Sequence, residues 1–93
     1  MTIGVCTLEL HLPSSNSLKS KRRVLKSLKD RVQRRFNVSI AELEAGDTWQ
    51  RSVLGVACVA NERRHVNEVL DRVVRTVEET PAIQMVDYRV ELL

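Results

Sequence analysis

Glu9, His11, Arg51, Asp87 and Arg89 place carboxylates, an imidazole and guanidinium groups in three segments that alternate like β-strands. Gathered on one sheet face, such a set would offer an acid, a base and cations for general acid–base chemistry. The spacing argues against it. Alternate residues of a strand stand about 6.6 Å apart, and charges scattered at that interval pair across strands and stay solvated. No Gly-rich phosphate loop occurs, and no nucleophile has a base beside it. A small acid-anhydride hydrolase would want an Arg-bearing, Gly-rich loop after the first strand, and Pro13–Ser17 has neither residue. Cys6 and Cys58 lack the closely spaced Cys or His partners of a zinc site, while His11 and His65 lie in unrelated segments. The expectation is a protein with no catalytic residues, no metal and no cofactor.

The chemistry that remains is charge. Between Lys19 and Arg35 stand nine Lys or Arg residues against one acid, Asp30, for a net +8 in seventeen residues. The rest of the chain sums to −5, so an overall +3 conceals a polarised molecule. An anionic partner would relieve that crowding of like charge. Nucleic acid and the acids of a protein are the two candidates.

The elements that must position these charges follow from periodicity. Ile3 to Leu12 alternates, with Cys6, Leu8, Leu10 and Leu12 on one face. Pro13–Ser17 reads as a loop whose last residue, Ser17, caps a helix. Over Leu18–Phe36 the period becomes helical: Leu18, Leu25, Leu28, Val32 and Phe36 fall within about 80° of one another. Lys19, Arg23, Lys26, Arg31 and Arg34 then face outward, and Lys21, Arg22 and Lys29 flank the apolar stripe with stems able to lie over the core. Asp30 is placed to bridge Lys26 and Arg34.

Asn37–Glu44 reads as a second strand, Ala45–Asp47 as a turn, and Thr48–Ala60 as a third strand. Asn61 is the expected cap of a second helix, striped by Val66, Val69, Leu70, Val73 and Val77 and laced by i,i+4 pairs such as Arg64/Glu68. Thr80-Pro81 ends it, and Ile83–Leu92 forms a fourth strand with Val86, Tyr88, Val90 and Leu92 toward the core. The order βαββαβ, with right-handed crossovers, predicts an α+β ferredoxin-like sandwich. Its four-stranded antiparallel sheet runs 4-1-3-2 with both helices on one face. Ninety-three residues make one such domain, spanning 1–93 and burying about 60–65% of the unfolded surface.

That fold leaves one sheet face open, carrying Ile3, Val5, Thr7, Glu9 and His11, then Arg51, Val53, Gly55, Ala57 and Val59, then Met85, Asp87, Arg89 and Glu91. Only Phe36, Trp49 and Tyr88 are aromatic, and Phe36 and Tyr88 read as core, so base stacking on this face is not expected. Trp49 either lies open at the start of the third strand or packs beneath the Ala45–Asp47 turn. The aliphatic part, Ile3, Val5, Val53, Ala57 and Val59, reads instead as an association surface, most simply of a homodimer. Cys6 and Cys58, taken on parallel neighbouring strands, would stand roughly 13 Å apart along the sheet. That is beyond the reach of a disulfide, so both thiols are expected to be free. With no leader pattern and no apolar run near the roughly 20 residues of a membrane span, the chain reads as cytoplasmic and away from membranes.

Ser17-Leu18-Lys19-Ser20-Lys21-Arg22-Arg23-Val24-Leu25-Lys26-Ser27-Leu28 is the most specific of several segments that together resemble the YlxP-like family of small bacterial proteins. The others are Phe36-Asn37-Val38-Ser39, Trp49-Gln50-Arg51, Val69-Leu70-Asp71-Arg72-Val73 and the ending Val86-Asp87-Tyr88-Arg89-Val90-Glu91-Leu92. The resemblance covers nearly the whole chain and implies the ferredoxin-like fold. It also implies work near the ribosome, since genes of the family neighbour those of translation initiation and ribosome-maturation factors. It carries over no catalytic residue. The expectation is a non-catalytic protein that meets ribosomal or other structured RNA through Ser17, Lys19, Lys21, Arg22, Arg23, Lys26, Lys29, Arg31 and Arg34. The alternative is a self-assembling interaction module that uses the open face and no nucleic acid.

Overall fold

The structure, a computed structural model, describes residues 1–44 (Glu44 by its backbone) and 48–93. The expected Ala45–Asp47 turn lies outside the described residues. In chain order the elements are β1 (Thr2–His11), α1 (Leu18–Arg35), β2 (Ser39–Glu44), β3 (Arg51–Ala60), α2 (Arg63–Glu78) and β4 (Gln84–Leu92). The sheet order is β2-β3-β1-β4, antiparallel throughout, which is the ferredoxin-like arrangement. The third strand starts at Arg51 rather than Thr48, with Trp49 and Gln50 forming a turn before it.

Alternation in β1 buries Cys6, Leu8 and Leu10 against α1 residues Leu25, Leu28 and Val32 and α2 residues Val66, Leu70, Val73 and Val77. Leu54, Val56 and Cys58 of β3 complete this layer. Gly4 lets α2 sit close to β1, because a Cβ there would overlap Val66 Cγ1. Ser17 caps α1 as expected: its Oγ accepts from the Ser20 N–H at 3.0 Å. The cap of α2 is Glu62, not Asn61, and its side chain makes no capping bond.

Two bulges shift residues between faces. β1–β4 pairing slips between Glu9 and Leu10, so Leu10 faces Met85 while Glu9 faces Asp87. Met85 therefore packs on the core instead of the open face, and Val86 is exposed instead of buried. Tyr88 shares the face of Leu8, its partner in register, but at the sheet edge it is left half uncovered. In β2–β3 the slip lies between Glu42 and Glu44, which brings Leu43 over Gly55.

The cysteine geometry differs from expectation in one respect. β3 turns back after β2, so it runs antiparallel to β1, with Cys6 facing Val56 and Cys58 facing Gly4. The two residues are diagonal neighbours, a relation of about 7–8 Å rather than the expected separation. Both thiols are free and buried.

Lys21 departs most from its expected place. It lies within the buried face of α1, not at its rim. Its Nζ donates to the Thr48 carbonyl at 3.0 Å and stands 3.4 Å from Glu42 Oε2, while the Ser52 hydroxyl donates to the same carboxylate oxygen at 2.8 Å. One ion pair thus joins α1, β2 and the approach to β3.

Removing one partner of a buried pair strands the other, so Lys21→Ala is expected to cost about 2–4 kcal/mol in urea unfolding. The exposed neighbour change Arg22→Ala should stay within about 0.5 kcal/mol. The thiols give a second measurement. Burial, reinforced by the charge of Asp71, pushes the Cys6 thiol from 9.0 up to about 11, and burial also raises Cys58. A thiol that ionises more readily when unfolded favours unfolding as pH rises, so this contribution is intact below 9.0 and lost toward about 11. Urea midpoints should fall between about pH 8 and pH 10, less steeply in Cys6→Ala, and a thiol reagent should reach both cysteines only on unfolding.

Candidate nucleic-acid interface

A helix lying on a sheet turns roughly one side to water, and on α1 that side is cationic. Lys19, Arg22, Arg23, Lys26 and Arg34 are all exposed, and Lys29 is half-buried at the border. Arg23, Lys26, Ser27, Asp30 and Arg34 line a shallow groove on this face. Asp30 sits within it, its carboxylate accepting from Lys26 Nζ at 2.8 Å. That bond, and then the charges of Lys26, Arg34 and Lys29, hold the Asp30 carboxyl below its ordinary range.

Two of the expected contact residues face elsewhere. Lys21 is buried in its pair with Glu42, because the helical period sets it among Leu25, Leu28 and Val32, and it offers nothing to an outside anion. Arg31 is half-buried and donates from Nη1 to Thr80 Oγ1 at 3.3 Å, which ties α1 to the segment after α2. Conversely, Arg35, absent from the expected set, is exposed in the last turn. Its basic character was visible in the sequence, but helix fraying sets where an end residue points. Among the described residues, Lys21 and Lys26 are the α1 bases with a carboxylate within 4 Å.

At the other end of α1, Ser17 occupies one amide of the first turn, and the remaining free amides and the positive dipole end favour a further anion. Trp49, exposed in the turn before β3, is on the same polypeptide stretch as the Thr48 carbonyl that receives Lys21. Its indole is open to contact.

Of the acid–base set, Glu9, Arg51, Asp87 and Arg89 line one small pocket on the open face, and His11 stands apart from it. Glu9 Oε1 accepts from Arg51 Nη2 at 2.7 Å as a cross-strand pair, and His11 Nδ1 lies 3.2 Å from Gln84 Oε1 at the sheet end. No cluster of three or more His, Cys, Asp or Glu suited to a metal occurs among the described residues. Among the described residues no helix is long and apolar enough to cross a membrane.

On the open face Val53 is buried, Ile3, Val5 and Ala57 are half-buried and Val59 is exposed. Val5 and Ala57 line an apolar groove with Ala41, Leu43 and Gly55. Leu43 was not expected there: the β2 bulge brings it across Gly55, where a Cβ would stand 2.9 Å from Leu43 Cδ2.

Comparison with known proteins agrees with this architecture. Residues 3–90 match the family described as "Protein of unknown function (DUF503)". "Uncharacterized protein YlxP" of Bacillus subtilis (strain 168) is 40% identical over 89 residues, covering 96% of this chain and 97% of that protein. Of solved structures, the de novo designed protein LFR1 1 with ferredoxin fold aligns over 100% of this chain and 83% of its own, at 14% identity and TM-score 0.53. SnoaB, a cofactor-independent oxygenase from Streptomyces nogalater, aligns over 99% of this chain and 90% of its own, at 8% identity and TM-score 0.53. At such identities the two structures bear on the fold alone.

Proposed function

The chain belongs to the DUF503 family, and we propose that it is a non-catalytic RNA-binding protein that docks structured RNA on the outer face of α1. The observation that carries this reading is the row of exposed bases, Lys19, Arg22, Arg23, Lys26 and Arg34, interrupted by the single acid Asp30. From Lys19 to Arg34 the helix rises about 22 Å, enough to follow several successive phosphates. Point contacts to phosphates set position rather than sequence, so recognition rests on RNA shape. Ribosomal RNA is the first candidate because of the family resemblance. The absence of an aromatic platform on the sheet favours the helix face over the strands as the docking surface.

With about five phosphates neutralised, log K against log salt should slope at roughly −3.5 to −4.5. Binding to ribosomal RNA fragments measured across salt should show Arg23→Glu/Lys26→Glu at least about tenfold weaker, with a slope shallower by about 1.5. Equal affinity of variant and wild type would remove α1 from the interface.

The apolar groove favours a second reading, in which the open sheet face is a contact between copies of the chain. Ala57→Arg, at a half-buried residue of the groove, places like charge in that patch and is expected to split such an oligomer while leaving the circular dichroism spectrum unchanged. A wild type that light scattering finds monomeric at high concentration would end it.

A further inference from the structure

β4 is an edge strand with β1 on one side and, among the described residues, no strand on the other. Its two exposed apolar residues, Val86 at 61% and Tyr88 at 50%, lie beside exposed Asp87 and Arg89. The Tyr88 N–H is met by the carboxylate of the preceding residue, Asp87 Oδ1, at 2.9 Å in the open. A strand added at this edge would take over that donor and release the Asp87 carboxylate for another partner. A long edge with apolar side chains and no Lys or Pro within it is a template for another strand.

We propose that β4 pairs antiparallel with β4 of a second copy of this chain, about a two-fold axis at Tyr88, to give one continuous eight-stranded sheet. Facing residues of a pair point to the same side of a sheet, so the axis must set one residue opposite itself. At Tyr88 the run Val86-Asp87-Tyr88-Arg89-Val90 complements its own reverse. Asp87 meets Arg89 of the other copy twice over, Val86 meets Val90, and the two tyrosines meet at the axis. Opposite charges directly across a pair are favourable, and like charges are not. An axis at Arg89 sets Asp87 against Glu91, and one at Asp87 sets that carboxylate against its own copy. An axis at Val90 pairs Arg89 with Glu91 but leaves exposed Val86 outside the ladder. The opposite edge offers nothing comparable: β2 carries Glu42 and Glu44 and no base, and Glu42 is held by Lys21. Asp87 and Arg89 stand on the open-face side of β4, but the contact uses neither the α1 face nor the apolar groove around Gly55 and does not depend on either reading of them.

Sedimentation of the full, nuclease-treated chain over a concentration series at low salt tests it, with circular dichroism to confirm that each variant folds. The wild type should associate through two copies. Arg89→Asp should weaken association at least about tenfold, because two opposite pairs become two like pairs. Asp87→Arg/Arg89→Asp exchanges the charges and should return to within about threefold of wild type in the Tyr88 register. With an axis at Val90 the same double change would set a new acid against Glu91 and stay weak, which would overturn the register proposed. A monomeric wild type overturns the contact itself. So does an oligomer that Ala57→Arg splits and Arg89→Asp leaves whole. A tetramer that Arg89→Asp reduces to a dimer supports it.

Discussion

The Lys21–Glu42 pair is the interaction on which the arrangement of the helix layer turns. A helix with nine bases must still bury one side, and the helical period sends Lys21 to that side with Leu25, Leu28 and Val32. An ammonium there is tolerable because the Glu42 carboxylate and the Thr48 carbonyl both receive it. Such a pair adds little net stability over a well-packed apolar substitute, but it is specific. It accepts one orientation of α1 over β2 and thereby decides which of the remaining bases face water.

That decision sorts the surface. One side of the molecule presents Lys19, Arg22, Arg23, Lys26 and Arg34 with a single acid among them. The opposite side presents an apolar groove around Gly55 and, toward β4, the Glu9–Arg51 pair beside Asp87 and Arg89. The two sides suit partners of different chemistry. A polyanion gains from the first through released counterions, whereas the second rewards another apolar surface. Nothing about one excludes the other, because the sheet and its core separate them.

Most of this architecture was legible in the residue order. Alternation marked the four strands, the 3.6-residue period marked both helices, and Ser17 was identifiable as a cap because its side chain can do little else before a helical run. Met85, Val86 and Leu43 were misassigned or missed because a bulge adds a residue that strict alternation cannot register. Lys21 was placed at a rim because a charged residue is rarely buried without a partner, and that partner, Glu42, is distant in sequence. Arg31 was set facing water for a similar reason, its hydroxyl acceptor Thr80 being on another element. The relation of Cys6 to Cys58 went astray through strand direction, which is a property of the β2–β3 return and not of either cysteine. The helix angle itself sets Lys21 among Leu25, Leu28 and Val32, and only the assumption that its charge must reach water moved it to the rim.

The central pairing of the sheet also bears on how the chain is made. β1 is flanked by β3 and β4, and not by β2, which follows it next in sequence. Its nearest ladder partner begins forty residues after β1 ends, at Arg51. At bacterial or eukaryotic elongation rates of about 5–20 residues per second, the N-terminal strand waits roughly 2–8 s with both edges unsatisfied. During that interval Cys6, Leu8 and Leu10 have only α1 to shelter them. Vectorial folding of this domain is thus deferred until its third strand leaves the exit tunnel. The strand that emerges first is among the last to be secured.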